Sequence, residues 1–213
     1  MNTIAVISAN LGGFEQKIVE NVEQSVKYDL FRFTDATFPA RMQAMSARLQ
    51  ARIPKMFGWQ MAPGYNYYLW VDSSCALLHP DSIKWFLDQL GDNDIAVFKH
   101  PDRNTIQEES DYLKKRLAMP DTYITSRYKN ELIDEQMAEI NEPTLPLYAT
   151  TAFIYRDTYD MRKMFKEWWY HTSRYHIIDQ LSLSYAFKQS LIYKIKVIPD
   201  NFMKIPYLTC VRK

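Results

Sequence analysis

Two aspartates and a run of cations are the residues of this chain whose types and spacing could do chemistry together. Asp72 closes the hydrophobic stretch Tyr67-Tyr68-Leu69-Trp70-Val71 and is followed by Ser73-Ser74-Cys75. Asp179 stands beside Gln180 where a late amphipathic segment begins. Arg41, Arg48, Arg52 and Lys55 fall at i, i+7, i+11 and i+14, which sets four cations along one face of a helix. Carboxylates can hold a hard cation or accept a proton, and guanidinium groups grip phosphate through two parallel hydrogen bonds. Each feature also has a plainer role. Asp72 could cap a turn, Asp179 could cap its helix, and a charge stripe is ordinarily a solvated face.

The elements that must position these residues follow from the periodicity. The continuous apolar run 67–71 predicts a strand buried on both faces, with Asp72 at its carboxyl end, where open α/β sheets bind ligands. Ile4–Ser8 predicts a first strand opening into Ala9-Asn10-Leu11-Gly12-Gly13, and Tyr28–Phe33 predicts a second. The first loop matches neither the G-x-G-x-x-G nor the G-x-x-x-x-G-K-[ST] pattern. Residues 41–56 predict one helix, with Met42, Met45, Leu49, Ile53 and Met56 turned to the core. A helix from Asp81 or Ser82 to Leu90 and a strand Ile95–Phe98 come next, the strand ending in the polar cluster Lys99-His100-Pro101-Asp102-Arg103. Helical character resumes at Thr105, with Glu108 and Glu109 in the first turns, and residues 121–141 predict one or two flanking helices. Leu145–Arg156 is β-prone, Asp157–His171 reads as a helix carrying Trp168 and Trp169, and a last helix starts near His176. Ile195–Pro199 predicts a final strand, with the remainder a tail.

Composition narrows the class. The chain has 213 residues, 47% hydrophobic and 24% charged, which is ordinary for a globular protein with a substantial core. No repeat, low-complexity segment or linker interrupts it, so the expectation is a single domain over 1–213. The formal net charge of +1 gives no support to a broad phosphate-binding surface, which ranks nucleic acid below other partners. Two cysteines, Cys75 and Cys210, lie far apart; that spacing does not resemble a disulfide framework and points to a reducing compartment. The amino terminus has no signal-peptide pattern, and no window approaches the roughly 18 apolar residues of a spanning helix. A cytoplasmic location is the resulting expectation. Oligomeric state is not legible.

The order of these pieces resembles a nucleotide-sugar-dependent glycosyltransferase with the GT-A fold. Within that class it is similar to a glycosyltransferase-like family known from plant mucilage-related proteins and from bacterial and viral genomes. Three stretches carry the resemblance: Tyr67–Ser74 in place of an Asp-x-Asp strand end, Phe98–Arg103 with Glu108 or Glu109 beyond, and Thr150–Arg156 followed by the tryptophan-bearing helix and Asp179-Gln180-Leu181-Ser182. It implies a GT-A-like α/β/α sandwich around a mixed, mostly parallel sheet, with a Rossmann-like nucleotide-sugar half over about 1–104 and an acceptor-side half over about 105–213.

The same resemblance implies a division of labour. Ala9, Asn10, Leu11 and Gly12 would line the nucleotide pocket. Asp72, with Ser73 and Ser74, would sit at the donor diphosphate, with Mn²⁺ or Mg²⁺ on Asp72 and Ser74, although Ser74 stands where such enzymes often carry a second carboxylate. Arg41, Arg48 or Lys55 could neutralise the leaving diphosphate directly. His100 and Arg103 would face donor sugar or acceptor. Asp179 and Gln180 would be catalytic, Asp179 either as the base that takes a proton from an acceptor hydroxyl or as a hydrogen-bond partner of the donor sugar. The reaction implied is sugar transfer from a nucleotide-diphosphate donor to a hydroxyl of a glycan or other acceptor. Two alternatives stand beside it: a catalytically silent nucleotide- or glycan-binding protein, and a metal-dependent nucleotidyltransferase.

Overall fold

The computed structural model describes residues 4–13, 19–39, 44–120, 125 and 132–210. Six strands form the central sheet: β1 (Ile4–Asn10), β2 (Asp29–Thr34), β3 (Tyr67–Val71), β5 (Ile95–Lys99), β6 (Tyr148–Arg156) and β7 (Ile195–Ile198), in the order β2-β1-β3-β6-β5-β7. Five of them run parallel, and β6 alone runs against both neighbours, β3 and β5. A short antiparallel pair, β4 (Cys75–Ala76) with β8 (Thr209–Cys210), lies outside this sheet.

Strand alternation divides the apolar residues between two faces. Ala5, Ile7, Tyr68, Trp70, Val97, Phe153 and Tyr155 point to one face. That face is covered by α2 (Arg52–Met61), α6 (Tyr159–Arg174) and α7 (Gln180–Gln189), which contribute Met56, Met164, Phe165, Trp168 and Leu183. Ile4, Val6, Leu69, Val71, Ala96, Phe98 and Ile154 point to the other. There α3 (Ser82–Leu90) supplies Ile83, Phe86 and Leu90, and the carboxyl-terminal stretch adds Phe202, Ile205 and Leu208. The layers are therefore helix, sheet, helix, and the mixed, mostly parallel sheet is the one expected of a GT-A-like fold. Two further helices, α4 (Ile106–Leu117) and α5 (Ile133–Ile140), pack with α7 around Leu113, Ile133, Ile178 and Leu181.

Several expectations need correction. The helix expected over 41–56 is in two pieces, α1 (Ala47–Gln50) and α2, broken at Ala51. Pro54 explains the break: it has no N–H to donate to Gln50, so it suits the first turn of a new helix and not the interior of a continuous one. Arg41 and Met42 lie outside the described residues. The final stretch is no loose tail, since it packs on the sheet and ends in β8. Cys75 and Cys210 stand opposite each other in the β4–β8 ladder and form a disulfide across 135 residues of sequence. The inference of a reducing compartment from the cysteines therefore loses its support, because disulfides persist in oxidising surroundings. Among the described residues no helix is long and apolar enough to cross a membrane.

Candidate functional site

The carboxyl ends of β1, β3 and β5 meet the amino-terminal half of the reversed β6 along one rim of the sheet. The β5–β6 register jumps there: Val97 pairs with Phe153, but Phe98 pairs with Ala149, so Thr150–Ala152 bulge out of that ladder. Bulges of this kind re-aim side chains at functional rims. This one leaves the Thr151 carbonyl to accept from the Asp72 N–H at 2.9 Å, and the Thr150 hydroxyl to donate to Asp179 Oδ1 at 2.7 Å.

Asp179 immediately precedes α7 but does not cap it with its side chain. Its Oδ2 instead meets Lys55 Nζ at 2.7 Å and Arg52 Nε at 3.0 Å, while its carbonyl accepts from the Trp168 indole at 2.7 Å. The Lys55 ammonium also lies 3.8 Å from Asp72 Oδ1. Lys55 thus stands between the two aspartates, with the rings of Trp70 and Trp168 at 5.5 and 5.9 Å. Arg52 and Lys55 are one helical turn apart, so they share a face, and that face is turned inward. The side chains of Lys55 and Asp179 are 1% and 4% exposed, against 34% for Asp72. Burial lowers the Lys55 pKa, opposed by Asp179 and Asp72. Burial pushes the Asp179 carboxyl up, but Arg52, Lys55 and the Thr150 hydroxyl together outweigh it and hold Asp179 below the ordinary carboxylate value. A buried, ionised Asp179 with both oxygens engaged is built to fix its neighbours in place.

Asp72 is the accessible member of the trio. Its Oδ1 accepts from the Trp70 indole at 2.8 Å.

A second polar cluster joins this one through Gln180. Glu109, on α4, is buried and accepts from both the Gln180 amide and the Arg103 guanidinium. Burial raises the Glu109 pKa, and Arg103 and Gln180 pull it down. Arg103 also stacks on Tyr112 at 4.1 Å. His100 Nδ1 accepts the N–H groups of Asp102 and Arg103 at 3.2 and 3.1 Å, which makes it a brace of the turn after β5. Desolvation lowers its pKa to about 4, so it is neutral near pH 7. His100 and Arg103 are brought together as expected, but both are tied into the protein.

Next to Asp72 in the chain, Ser73 lines a shallow open cleft together with Ser8, Ala9, Asn10, Val19, Arg32, Phe33, Thr34 and Cys75. Of the residues the resemblance assigns to the donor, Ala9, Asn10 and Ser73 line this cleft. Leu11 is a core residue, 4% exposed. Gly12 forms the turn, donating its N–H to Asp35 at 2.9 Å. Arg48 sits half-buried on α1, and Ser74 Oγ lies 3.9 Å from Cys75 Sγ. Sequence reasoning assigned no role to Arg32, which projects from β2 into the cleft and pairs with Glu20 at 2.5 Å. It also passed over Glu109 and Trp70 as site residues. An arginine between Phe31 and Phe33 one residue before a strand end was the available signal for Arg32.

Among the described residues no three His, Cys, Asp or Glu side chains converge as a metal site. Asp72 offers one carboxylate oxygen and Ser74 a hydroxyl. A Mg²⁺- or Mn²⁺-type ion at Asp72 would have to be held chiefly by substrate phosphates and water, which is the usual habit of Mg²⁺.

The sequence model of a family described as the TOD1/MUCI70 glycosyltransferase-like domain matches residues 41–211. No curated protein matches the chain. Among solved structures, the chain is similar to a glycosyltransferase involved in the glycosylation of the major capsid of PBCV-1, with 12% identity, a TM-score of 0.48, and coverage of 92% of this chain and 81% of the other. It is also similar to the WbbM bifunctional glycosyltransferase in its apo form, with 12% identity, a TM-score of 0.49, and coverage of 93% of this chain and 39% of the other.

Proposed function

The chain belongs to the family of TOD1/MUCI70 glycosyltransferase-like domains, and on that premise we propose that it moves a sugar from a nucleotide-diphosphate donor to a hydroxyl of a glycan or other acceptor. The observation that carries the reading is the Asp72–Lys55–Asp179 arrangement beside the cleft at the carboxyl rim of the sheet. Asn10, Arg32, Thr34 and Ser73 hold the nucleoside, and the diphosphate lies toward Asp72. Asp72 and Ser74 would hold a divalent ion, which would supply positive charge to the departing diphosphate. Lys55 and Arg52 add a fixed positive potential beneath that position, in a region screened from water, where such charge is most effective.

Asp179 acts in this scheme by positioning. Both of its oxygens are engaged, so taking a proton from an acceptor would require it to leave Lys55, Arg52 or Thr150. Holding Lys55 toward Asp72 requires no such movement. Gln180, fixed by Glu109, then connects the donor side to the turn carrying His100 and Arg103. A nucleotidyltransferase is disfavoured by the charges: the residue nearest Asp72 in the trio is a cation, where that chemistry groups carboxylates. A silent nucleotide-binding protein is favoured by the single accessible carboxylate, and turnover separates it from the transferase.

Calorimetry with UDP and GDP, with and without Mn²⁺, followed by sugar release from a donor panel, tests the proposal. Nucleotide binding weakened by Asp72→Asn, together with donor turnover, is expected. Binding without turnover on any donor would favour the silent protein, and no binding of either nucleotide would remove the donor reading.

A further inference from the structure

We propose that the Cys75–Cys210 disulfide is a positioning element of the donor cleft, so that a dithiol reductant loosens the cleft by opening it. The proposal rests on the cleft being the donor site.

Cys75 takes part in three structures at once. It lines the cleft beside Ser73. Its N–H donates to the Asp72 carbonyl at 2.9 Å and closes the turn that presents the Asp72 carboxylate. Its sulfur is bonded to Cys210. Movement of Cys75 therefore moves a wall of the cleft and the acid at its edge together.

Around this point Ala76, Leu77 and Leu208 are buried in the core, but the backbone pairing is slender. β4 and β8 are two residues each, and a ladder that short is marginal by itself. On one side of β4, Leu77 donates to Asn21 Oδ1 at 2.9 Å and accepts from Val22 N–H at 3.0 Å; the strap that includes Asn21 and Val22 also carries Val19, another cleft residue. On the other side, the carboxyl-terminal stretch contributes Tyr207, stacked on Trp85 at 5.0 Å and edge-on to His79 at 4.9 Å. The disulfide ties this stretch covalently to the turn after β3 and removes chain freedom across 135 residues. The core strands do not depend on it, since β1 and β3 pair with each other and are buried on both faces.

Opening is ordinary thiol–disulfide exchange. One thiolate of the dithiol attacks a sulfur of the pair and displaces the other as a thiolate. The second thiol of the reductant then resolves the mixed disulfide, leaving two cysteine thiols and an oxidised, cyclic reductant. Two electrons pass from the dithiol to the protein sulfurs, and two protons follow.

The test compares oxidised and dithiol-reduced wild type by hydrogen exchange and by calorimetry with UDP and Mn²⁺. Amides of residues 73–76 and 209–210 are expected to exchange about tenfold faster on reduction, while those of β1 and β3 keep their protection. UDP affinity is expected to fall by roughly threefold to tenfold. Cys210→Ser is expected to match the reduced protein and to ignore reductant; if it fails to fold, the reduced wild type still decides. Three results would overturn the proposal: two titratable thiols in protein purified without reductant, unchanged exchange at 73–76, or loss of protection in β3 together with the turn, which would make the disulfide a general staple. If UDP binds neither form, the donor reading fails by itself, and hydrogen exchange alone decides whether the disulfide holds the Asp72 turn.

Discussion

The indole N–H of Trp70 donates to Asp72 Oδ1 at 2.8 Å, so the strand that delivers the acid also aims it. The two residues are two apart in sequence, the spacing at which side chains of an extended chain share a side. Trp70→Phe keeps an aromatic ring in the core and removes only the donor. UDP affinity in the presence of Mn²⁺ is expected to fall about tenfold, the scale of one hydrogen bond to a charged group. Calorimetry measures it, and an unchanged affinity would mean that the indole does not set the carboxylate's orientation.

Lys55→Met would leave the buried Asp179 carboxylate with Arg52 as its remaining cation. Removing one partner of a buried ion pair is expected to cost about 3 kcal/mol of stability, near the lower end of the usual range because Arg52 stays. Adding Asp179→Asn to that variant should restore part of the loss, since the uncompensated charge is gone. Urea unfolding of the two single variants and the double variant reads the coupling; strict additivity would contradict the pairing.

Acid should destabilise the fold through its buried histidines. Burial depresses the pKa of His100 to about 4 and of His176 to about 3. Unfolded histidines bind protons from about pH 6.5 downward. Between those values the unfolded state holds more protons, so stability is full above about pH 6.5 and declines as the pH falls toward 4. His176 Nδ1 accepts from the Ile178 N–H at 3.0 Å, and an asparagine can offer a similar acceptor. His176→Asn should therefore flatten the slope of unfolding free energy between pH 7 and 5. An equal slope in wild type and variant would count against this origin.

Gly12 and Gly13 supply a matched comparison. Both have positive φ, at 70° and 63°, but a Cβ on Gly12 would stand 2.7 Å from the Ala47 Cβ, while one on Gly13 meets nothing within 4 Å. Gly13→Ala should cost about 1 kcal/mol in backbone strain alone. Gly12→Ala should cost about 1–3 kcal/mol more, because α1 must also move. Thermal unfolding compares them; equal losses would show that the loop yields without disturbing α1.

Much of the rim was legible because strands announce themselves by composition. Tyr67–Val71 is apolar without interruption, which only a doubly covered strand requires, and the acid after it had to lie at the strand's end. Asp179 was legible as the start of a helix, but its partners were not. A stripe at helical spacing says that Arg52 and Lys55 share a side and leaves open which way that side faces. The inward turn depends on Asp179, which arrives from more than a hundred residues away. The bulge at Thr150–Ala152 left no mark beyond β-prone residues, since it is a mismatch of register between two strands. The disulfide was invisible for a related reason: the closing of the β4–β8 ladder brings Cys210 to Cys75, and spacing along the chain carries no trace of it.

The reversal of β6 has a consequence for how this architecture can diversify. A connection between two parallel neighbours must travel from one end of the sheet to the other, so its length is constrained by the sheet. The connection from β5 to β6 leaves and re-enters at the same rim, and it carries Arg103, α4 with Glu109, and α5 along the way. Chain can be added to or removed from that excursion without displacing a strand or disturbing the first loop, Arg32 or the Asp72 turn. Natural variation can therefore refit the territory around α4 and α5 while inheriting the Asp72–Lys55 arrangement unchanged.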